Sequence, residues 1–442
     1  MIRTMTKKLV LLITLATLIL TSCGNEQGDQ TQSPIQQATQ ASLTLRFGVP
    51  YGGLFPYFAP EIERFEEANP AITVEISVFV PNGPLAYANA ETNVDVFLWP
   101  VLSDPLVTYE GKPSALNLQP FVSAESQGFS DADFFPGQMD AFRWQGDLYG
   151  IPADNSLMVL YYNRAIFDAT DVPYPQAGWT WQDFLDISKT FTTIAGEGER
   201  QTGQWGFICQ PEAGEAYLFL LQHGGVMFDD PLNPTRFVPG DPRVVEALQW
   251  YGDLAQTHHV CPTPNEMQRY QLDPSLMFAL GKAAMYISYV SEGGGNGFYN
   301  WPWSFSWGAT PLPRDASEAT WSLPAGYFIS AQSTHPQEAW AFVKYLSEQS
   351  QYGYRKGVPA RRSIAESDAY RQRVGEELAA AAINELDSAF LAPVPASTVA
   401  LGGRSPNYDQ LWANFLSSSV NLLNGDTTVE NMLMRLKPFS NP

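Results

Sequence analysis

The stretch that decides the fold is "LTLRFGVPYGGLFPYFAPEIERFEEANPAITVEISVFV", residues 43–80. Apolar and polar residues alternate strictly over 43–49, which is the pattern of a strand with one buried face. Apolar residues then recur at helical spacing over 58–65, and the alternation typical of a strand returns over 72–80. Strand, helix and strand in this order predict two parallel strands joined by a right-handed crossover. The sequence therefore predicts an open α/β sheet.

A short continuous apolar run, "VDVFLW" (residues 94–99), comes next and suits a buried strand. Ligands of such sheets bind outside the carboxyl ends of the strands. Tyr51 follows the first predicted strand and Trp99 ends the third, so parallel strands would place both aromatic residues on one edge. A ligand site explains this placement, and so does ordinary packing in the core or against a loop.

Helix start signals mark the middle and the end of the chain. Thr180 with Asp183, and Thr427 with Glu430, have the spacing of capping boxes, in which side chains satisfy the first free backbone N–H groups of a helix. Asp241 precedes a proline, which favours a helix start in the same way. Apolar stripes follow all three signals, so structural helices are predicted there.

The N-terminus has the order of a secretory signal. Three basic residues precede an apolar run over 9–20, and small residues follow. The run is too short for a membrane-spanning helix, which needs roughly 20 apolar residues. Leu20-Thr21-Ser22-Cys23 resembles the lipobox of bacterial lipoproteins, which implies that residues 1–22 are a cleaved signal peptide and that the Cys23 thiol carries diacylglycerol. An ordinary signal peptide with a chance cysteine is the alternative.

Residues 23–42 are predicted to be the lipidated cysteine and a disordered tether. Six glutamines and several Ser and Thr residues leave almost nothing to bury. A flexible segment of 19 residues would hold the folded part about 25 Å from the membrane. The predicted protein is therefore exported, and it is lipid-anchored on the extracytoplasmic side of a membrane.

Composition and charge limit the partners. Removal of residues 1–22 leaves 22 basic and 46 acidic residues, a net charge of −24, on a chain long enough for two large domains. A field of that sign repels phosphate backbones and anionic lipid headgroups, so no nucleic-acid partner is predicted. Cys209 and Cys261 could pair outside the cytoplasm, but sequence leaves that question open.

A set of phrases in a fixed order carries a family resemblance. The phrases are "RFEEANPAITVEI" (64–76), "VDVFLW" (94–99), "DLYGIPADNSLMVLYYNRAIF" (147–167), "PQAGWTWQDFLDISKTFT" (175–192), "GYFISAQSTHPQEAWAFVKYLS" (326–347) and "GVPARRS" (357–363). Together they resemble the extracellular solute-binding proteins of ABC importers, and in particular the group similar to maltose-binding protein, which mostly serves sugars. The resemblance runs from about Leu43 to the C-terminus.

This resemblance implies a two-lobed, periplasmic-binding-protein-like α/β fold (type II), in which each lobe is a mostly parallel sheet flanked by helices. The implied lobes are 43–154 plus 326–365 and 155–325 plus 366–442, with crossings near 153–156, 324–327 and Ser363. Gly326 and Tyr327 are the implied hinge. Glycine can supply backbone torsions that other residues avoid, although a simple tight turn explains Gly326 equally well.

The resemblance also implies a ligand site between the lobes. Aromatic faces stack on sugar rings, and planar polar side chains bind sugar hydroxyls. The implied ligand-binding residues are Tyr51, Gly52, Trp99, Asp104, Asp154, Asn155, Ser156, Glu215 and Tyr217, with Ser103 as an alternative to Asp104.

One departure from the family pattern concerns the segment after the strand that contains "AAM". Ser291 stands where relatives often carry a tryptophan, and a glycine-rich insertion follows. Tyr289, Trp301 or Trp303 could replace the missing ring. Alternatively, Trp301 and Trp303 cap the hydrophobic core while the glycines form a surface loop.

Catalysis and metal binding find little support. No nucleophile elbow, zinc-protease motif, P-loop or complete dinucleotide fingerprint is present. His258, His259 and Cys261 crowd three donors into four residues, which is not the spacing of a metal site. No enzyme activity, cofactor or metal is therefore predicted. A secreted carbohydrate-active hydrolase and a surface scaffold that binds a protein remain the alternatives.

The predicted function is that of a substrate-binding lipoprotein of an ABC importer. It would capture a carbohydrate, a mono- or oligosaccharide, by closing its two lobes and would deliver it to the transmembrane subunits of a permease. The protein is expected to be a monomer that touches the membrane through its lipid anchor only.

Overall fold

A computed structural model of the chain describes residues 43–50, 52–78, 94–99, 108–109, 112–125, 129–193, 203–211, 214–227, 237–238, 240–269, 271, 273–295, 301–349, 357–388, 391–393 and 406–439. All of them belong to one compact unit, Ser42–Pro442. The predicted signal peptide, Cys23 and the tether lie outside the described residues, as do Tyr51, Ser103 and Asp104.

Strands and helices are interspersed along the described chain. The strands are β1 (Leu43–Val49), β2 (Ile72–Val78), β3 (Val96–Trp99), β4 (Thr108–Tyr109), β5 (Lys112–Pro113), β6 (Arg143–Trp144), β7 (Asp147–Leu148), β8 (Ile151–Asn163), β9 (Trp205–Ile208), β10 (Ala283–Tyr289), β11 (Trp307–Thr310), β12 (Thr320–Ile329), β13 (Val358–Pro359) and β14 (Leu391–Pro393). The helices are α1 (Phe55–Ala68), α2 (Gln119–Ala124), α3 (Arg164–Asp168), α4 (Trp181–Phe191), α5 (Glu215–Gln222), α6 (Pro242–Gln256), α7 (Pro264–Arg269), α8 (Pro274–Ala279), α9 (Pro336–Ser347), α10 (Arg362–Ala365), α11 (Asp368–Val374), α12 (Glu376–Ser388), α13 (Pro406–Asn424) and α14 (Val429–Leu436).

The opening strand, helix and strand form as the sequence predicts. β1 pairs in parallel with β2 along its whole length, and it also pairs in parallel with β3. α1 covers this part of the sheet with the predicted stripe of Phe58, Ile62 and Phe65, all buried. The Phe58 ring meets the Phe47 ring of β1 edge to face at 4.9 Å. Burial of these rings on one face is what fixes the register of the helix on the sheet.

The main sheet has the strand order β2-β1-β3-β12-β8-β10-β9, with β11 and β13 against β8 and β14 against β12. Pairing is parallel within β2-β1-β3, between β9 and β10, and between β12 and β14. Every described antiparallel pair of this sheet includes β8 or β12. Two parallel regions are therefore joined through two long strands, β8 and β12, which pair antiparallel with each other.

Buried side chains form three clusters, which we describe as a first core and as a second core in two parts. The first core gathers residues of β1, β3, α1 and α9, among them Phe47 and Phe342. The second core lies on both faces of β8, and alternate residues of that strand belong to its two parts. One part contains Met158, Leu160 and Tyr162, and the other contains Leu157, Val159 and Tyr161. A strand buried on both faces carries the near-continuous apolar sequence seen here.

β8 and β12 each connect the two cores. Ile151 at the start of β8 lies in the first core, whereas Leu157 lies in the second. The C-terminal end of β12, Tyr327 to Ile329, lies in the first core, and Ser322 of its other half pairs with Leu157. The predicted lobe boundaries fall in these stretches. They stay a prediction, because packing identifies cores and not the parts that move.

The segment that contains β13 changes core twice more. Val358 lies in the second core, Ala360 in the first and Ala365 again in the second. Arg361 is buried over the Phe134 ring, 4.6 Å from its centroid, and bonds Asp133 at 3.1 Å. These contacts fasten the segment near the predicted third crossing at Ser363.

The next residue, Arg362, contacts the second core. Its guanidinium lies 4.5 Å from the centroid of the Phe135 ring, which belongs to the second core. It also binds Asp387 of α12 through two nitrogens. Neighbouring arginines are thus attached to different cores.

Two of the three predicted helix caps are confirmed, and one is shifted. Thr180 and Asp183 form a full capping box, and Asp241 accepts a hydrogen bond from the backbone N–H of Arg243. The cap at Thr427 is wrong by one residue, because Thr428 accepts the bond from the backbone N–H of Asn431 and begins α14. Adjacent threonines carry the same hydroxyl group, and the course of the backbone determines which of the two caps the helix.

Gly326 is required for a reason other than the expected one. The strand pairing of β12 with β8 shifts register between Ala325 and Gly326, but Gly326 does not have a left-handed φ. A Cβ atom at this position would lie 2.3 Å from Cε1 of Phe142, a separation that real Cβ atoms do not reach. The expectation of a special torsion is therefore wrong, and close approach of an aromatic ring excludes a side chain.

We expect the substitution Gly326→Ala to destabilise the protein by about 1–3 kcal/mol, the range for overpacking of a dense core. Chemical denaturation of the variant measures the change in the free energy of unfolding. If Phe142 is the obstacle, the double variant G326A/F142L should lose less stability than the sum of the two single variants. Gly53→Ala is the control, because nothing lies within 4 Å of its Cβ position. Strict additivity of the two changes would contradict the steric explanation.

Candidate functional site

The carboxyl ends of the parallel strands form one wall of the candidate site in the first core's region. Gly52 is exposed in a short 3-10 helix, Gly52–Leu54, directly after β1. Trp99 ends β3, is half-buried and packs against the first core, and it pairs with Gly326 of β12. Because β1 and β3 are parallel, Gly52 and Trp99 follow strand ends at one edge of the sheet, and Trp99 lies beside Gly326. Tyr51, which the sequence places at this edge with Trp99, lies outside the described residues. The role of Gly52 and Trp99 in ligand binding stays a prediction.

The crossing strand β8 supplies the floor of the candidate site. Asp154 is 7% exposed. Burial raises the pKa of its carboxyl to about 7, although the positive charge of Arg373 lowers that pKa. Ser156 is half-buried. Asn155 is fully buried, and its Oδ1 accepts a hydrogen bond of 3.0 Å from the Ser322 hydroxyl. Asn155 thus ties β8 to β12 and presents no surface to a ligand in this arrangement.

Asp154 and Tyr327 lie close enough to interact electrostatically. Burial raises the pKa of the Tyr327 hydroxyl well above its usual range, and the Asp154 carboxylate adds to the shift. Tyr327 itself is buried in the first core and pairs with Leu98 and Ile151. The two predicted hinge residues are therefore a close-packed glycine and a buried tyrosine on the strand that joins the cores.

The opposite wall is built at the carboxyl ends of β9 and β10, which run parallel. Tyr289 ends β10 and is half-buried against the second core, and its carbonyl oxygen accepts a bond of 3.0 Å from the Tyr161 hydroxyl. Gln210 follows β9 by two residues and is also half-buried. Sequence reasoning missed Gln210. The sequence feature that could have indicated it is an amide side chain at the carboxyl end of a strand, next to a cysteine.

Glu215 lies in the interior behind this wall. Its carboxyl group is fully buried at the start of α5, where Oε2 accepts hydrogen bonds from the Gln210 backbone N–H at 2.6 Å and from the Tyr251 hydroxyl at 3.1 Å. Burial raises the pKa of Glu215 to about 8, although both hydrogen bonds oppose the shift. A fully buried carboxyl cannot touch a ligand in this arrangement, so the geometry supports bracing of the loop after β9.

Tyr217 is also part of the second core. It is 2% exposed, and its ring meets the half-buried Trp412 ring edge to face at 5.4 Å. The expectation that Tyr217 lends a ring to the cleft is not supported by this burial. Trp412 lies at the border of this core.

The question of the two cysteines is settled by a disulfide. Cys209 and Cys261 are joined with a Cα–Cα distance of 5.8 Å, across a separation of 52 residues. The bond attaches the segment after β9 to the segment after α6. Closing a loop of that length stabilises the folded state by about 4 kcal/mol in the chain-entropy account. It also removes Cys261 as a metal ligand.

The two tryptophans of the glycine-rich insertion have different surroundings. Trp303 is 9% exposed and lies within 4.9 Å of the Tyr161 ring and 4.8 Å of the Phe278 ring. Trp301 is 41% exposed, and its backbone abuts Gly295, the last residue of the turn after β10. The prediction that a tryptophan of the insertion caps the hydrophobic core thus holds for Trp303, whereas Trp301 is exposed.

The sequence model of the bacterial extracellular solute-binding proteins matches residues 62–375 of the chain. The chain belongs to this family. A Brucella abortus (strain 2308) protein named only as a binding protein is 22% identical over 333 residues, which is 71% of this chain and 75% of that protein.

Solved structures are similar over nearly the whole fold. An ABC substrate-binding protein of Listeria monocytogenes in complex with cycloalternan is 21% identical and has a TM-score of 0.66, with 90% of this chain and 97% of that chain covered. A sugar transporter protein of Rhizobium etli in an open conformation is 16% identical and has a TM-score of 0.70, with 90% and 99% covered. The predicted two-lobed α/β fold class is confirmed. In the part of the chain that the structure describes, no helix is long and apolar enough to cross a membrane.

The raised pKa of Glu215 makes a prediction about stability and pH. The unfolded carboxyl ionises near pH 4.5, whereas the folded one stays protonated up to about pH 8. The folded state therefore binds more protons between these two pH values. The contribution of Glu215 to the free energy of unfolding therefore falls as the pH rises from 4.5 to 8, by about 1.4 kcal/mol for each pH unit.

Glu215→Gln cannot ionise and should lose this contribution. We expect the difference in melting temperature between E215Q and the natural protein to move in favour of E215Q as the pH rises from 5 to 8. Thermal unfolding at a series of pH values measures it. Glu67 is exposed, and Glu67→Gln is the control. Its melting temperature should follow that of the natural protein across the pH range. A constant difference across the range would show that Glu215 ionises normally.

Proposed function

We propose that this protein is the substrate-binding subunit of an ABC importer and that it captures a mono- or oligosaccharide in the cleft between its two lobes. The observation that carries this proposal is the course of β8, which is a single strand that belongs to both cores. Two packed bodies that share such strands can rotate against each other without exposing either core. Membership of the solute-binding family supports the same conclusion.

The chemistry of the walls supports a carbohydrate. Trp99, Tyr289 and Trp301 are half-buried or exposed aromatic residues, and Ser156 of β8 and Gln210 after β9 are half-buried polar residues. Aromatic faces offer apolar surface to sugar C–H groups, and amide, hydroxyl and carboxyl groups offer hydrogen bonds. Similar structures are named with such ligands, among them α-D-tagatose and maltose.

Binding would work by population shift. A saccharide that touches both walls has more contacts in the closed arrangement than in the open one, and this differential affinity favours closure. No covalent step is needed, so the protein acts as a receptor and not as an enzyme. The closed form would then be delivered to the transmembrane subunits of a permease.

The exported location and the lipid anchor complete the proposal. Family membership supports export, and Leu20-Thr21-Ser22-Cys23 supports attachment through a lipid on Cys23. The polar segment 24–42 would serve as the tether.

Titration of the compact unit, Ser42–Pro442, with saccharides tests the proposal. Maltose, maltotetraose, mannotriose and tagatose are the probes, because similar structures are named with them. We expect at least one to quench tryptophan fluorescence, to raise the melting temperature and to remain chemically intact. New reducing ends would indicate a hydrolase. Indifference to all saccharides together with capture of a protein would indicate a scaffold.

Trp301 and Trp303 provide a matched pair of variants. Trp301→Ala should weaken binding of the saccharide that binds best by about tenfold or more, because a stacking ring is lost, and should leave the melting temperature within about 2 °C. Trp303→Ala should lower stability by about 3–5 kcal/mol, as expected for loss of a buried aromatic side chain. Isothermal titration and denaturation measure the two effects. Equal loss of stability in both variants would place Trp301 in the core as well.

A further inference from the structure

We propose that Gln210 is a ligand-contacting residue of the second wall and that its side-chain amide binds one neutral hydroxyl group of the saccharide. Glu215 is inferred to act through Gln210 as a positioning residue. This inference rests on the proposed function, and it adds a residue and a chemical preference to it.

The position of Gln210 follows from the sheet. β9 ends at Ile208, and the chain leaves the parallel pair β9-β10 at its carboxyl edge, where α/β sheets bind ligands. Cys209 is fully buried, Gln210 is half-buried and Pro211 is buried again. Of these three residues, Gln210 is thus the one that reaches the surface.

Three restraints fix the backbone of the turn. The Cys209–Cys261 disulfide holds the residue before Gln210. The backbone N–H of Gln210 donates to Oε2 of Glu215 at 2.6 Å. Glu215 is held in turn by the hydroxyl of Tyr251, a fully buried residue of α6. A surface turn with this many covalent and buried restraints is pre-organised, which lowers the entropy cost of ligand binding.

The side chain is oriented as well. Nε2 of Gln210 donates to the carbonyl oxygen of Ile287 in β10 at 2.6 Å, and Oε1 accepts from the Tyr286 hydroxyl at 3.4 Å. The donation to a carbonyl fixes which end of the amide carries the nitrogen. The amide plane therefore lies across the end of β10, next to Tyr289.

Counting donors and acceptors shows what the amide still offers. A glutamine amide has two N–H donors and two acceptor lone pairs. Within the described part of the chain one donor and one lone pair are used, so one N–H and one lone pair remain. A hydroxyl group both donates and accepts, and this remaining pair matches it. An anionic group has no hydrogen to donate. Its own lone pairs would therefore face the free lone pair of the Gln210 amide oxygen.

The surroundings favour an uncharged ligand for the same reason. Burial raises the pKa of Glu215 to about 8, so the carboxyl behind Gln210 carries no charge at neutral pH. Burial raises the pKa of the Tyr286 hydroxyl, and the groups that raise it further by their charge, Glu292, Glu215 and Asp273, are all acidic. None of these groups would attract an anion, so the surroundings of Gln210 favour an uncharged group such as a sugar hydroxyl.

The experiment measures affinity for maltose, maltotetraose, mannotriose and tagatose by isothermal titration, and melting temperature in parallel. Gln210→Ala should weaken the best-bound saccharide by about tenfold, the equivalent of two neutral hydrogen bonds, and should shift the melting temperature by less than about 2 °C. Gln182→Ala is the matched control, because this glutamine is exposed on α4 and bonds Asp186 of the same helix. It should change neither quantity.

A position-specific readout separates contact from structural support. Each deoxy analogue of the best-bound saccharide lacks one hydroxyl group. One analogue should bind the natural protein about tenfold more weakly than the parent sugar does. The variant Q210A should bind this analogue and the parent sugar with equal affinity. Glu215→Gln tests the positioning role. Its effect on affinity should largely vanish in the double variant E215Q/Q210A, since it acts through the same amide.

The outcomes distinguish the two levels of the proposal. If no saccharide binds the natural protein, both the proposed function and this inference are overturned. If a saccharide binds and Q210A keeps its affinity within twofold, Gln210 is not a contact and the inference alone fails. Additive effects of E215Q and Q210A would likewise overturn the positioning role of Glu215.

Discussion

Backbone pairing along β8 is the constraint on which the rest of the molecule depends. The thirteen residues of this strand are hydrogen-bonded to β12 and β13 in their first half and to β10 and β11 in their second half. Since buried N–H and C=O groups need partners, neither core can move away from β8 without losing bonds. The two cores are therefore linked by main-chain geometry, and side chains only decide how each core packs. The candidate site lies where the strand changes core.

Much of the fold follows from local sequence. The alternation over 43–49, the stripe of Phe58, Ile62 and Phe65, and the box of Thr180 with Asp183 are periodic or short-range patterns, and each forms where it is predicted. Such patterns state which side chains share a face, and burial of that face is sufficient to fix them. The cap at Thr428 was missed because two adjacent threonines carry the same local signal.

The site was less accessible to sequence, for physical reasons. Glu215 and Tyr217 begin a helix near the site, but the helix turns them inward, where Tyr251 and the Gln210 backbone need an acceptor. That need comes from residues far apart in the chain, and no spacing reveals it. The requirement for glycine at position 326 is similarly non-local, because it comes from the ring of Phe142. The family resemblance predicts a candidate site between the lobes, whereas three-dimensional contacts are needed to separate exposed residues near it from buried residues behind it.

The adjacent arginines at positions 361 and 362 have a mechanical consequence. Arg361 is fastened to Asp133 among side chains of the first core, and Arg362 to Asp387 on a helix of the second. Consecutive Cα atoms stay about 3.8 Å apart whatever else happens. If one core rotated against the other, this point would move little, because the two attachments belong to neighbouring residues. In such a rotation, the displacement of a residue would grow with its distance from this point. A rotation of a few degrees would then move the most distant residues furthest.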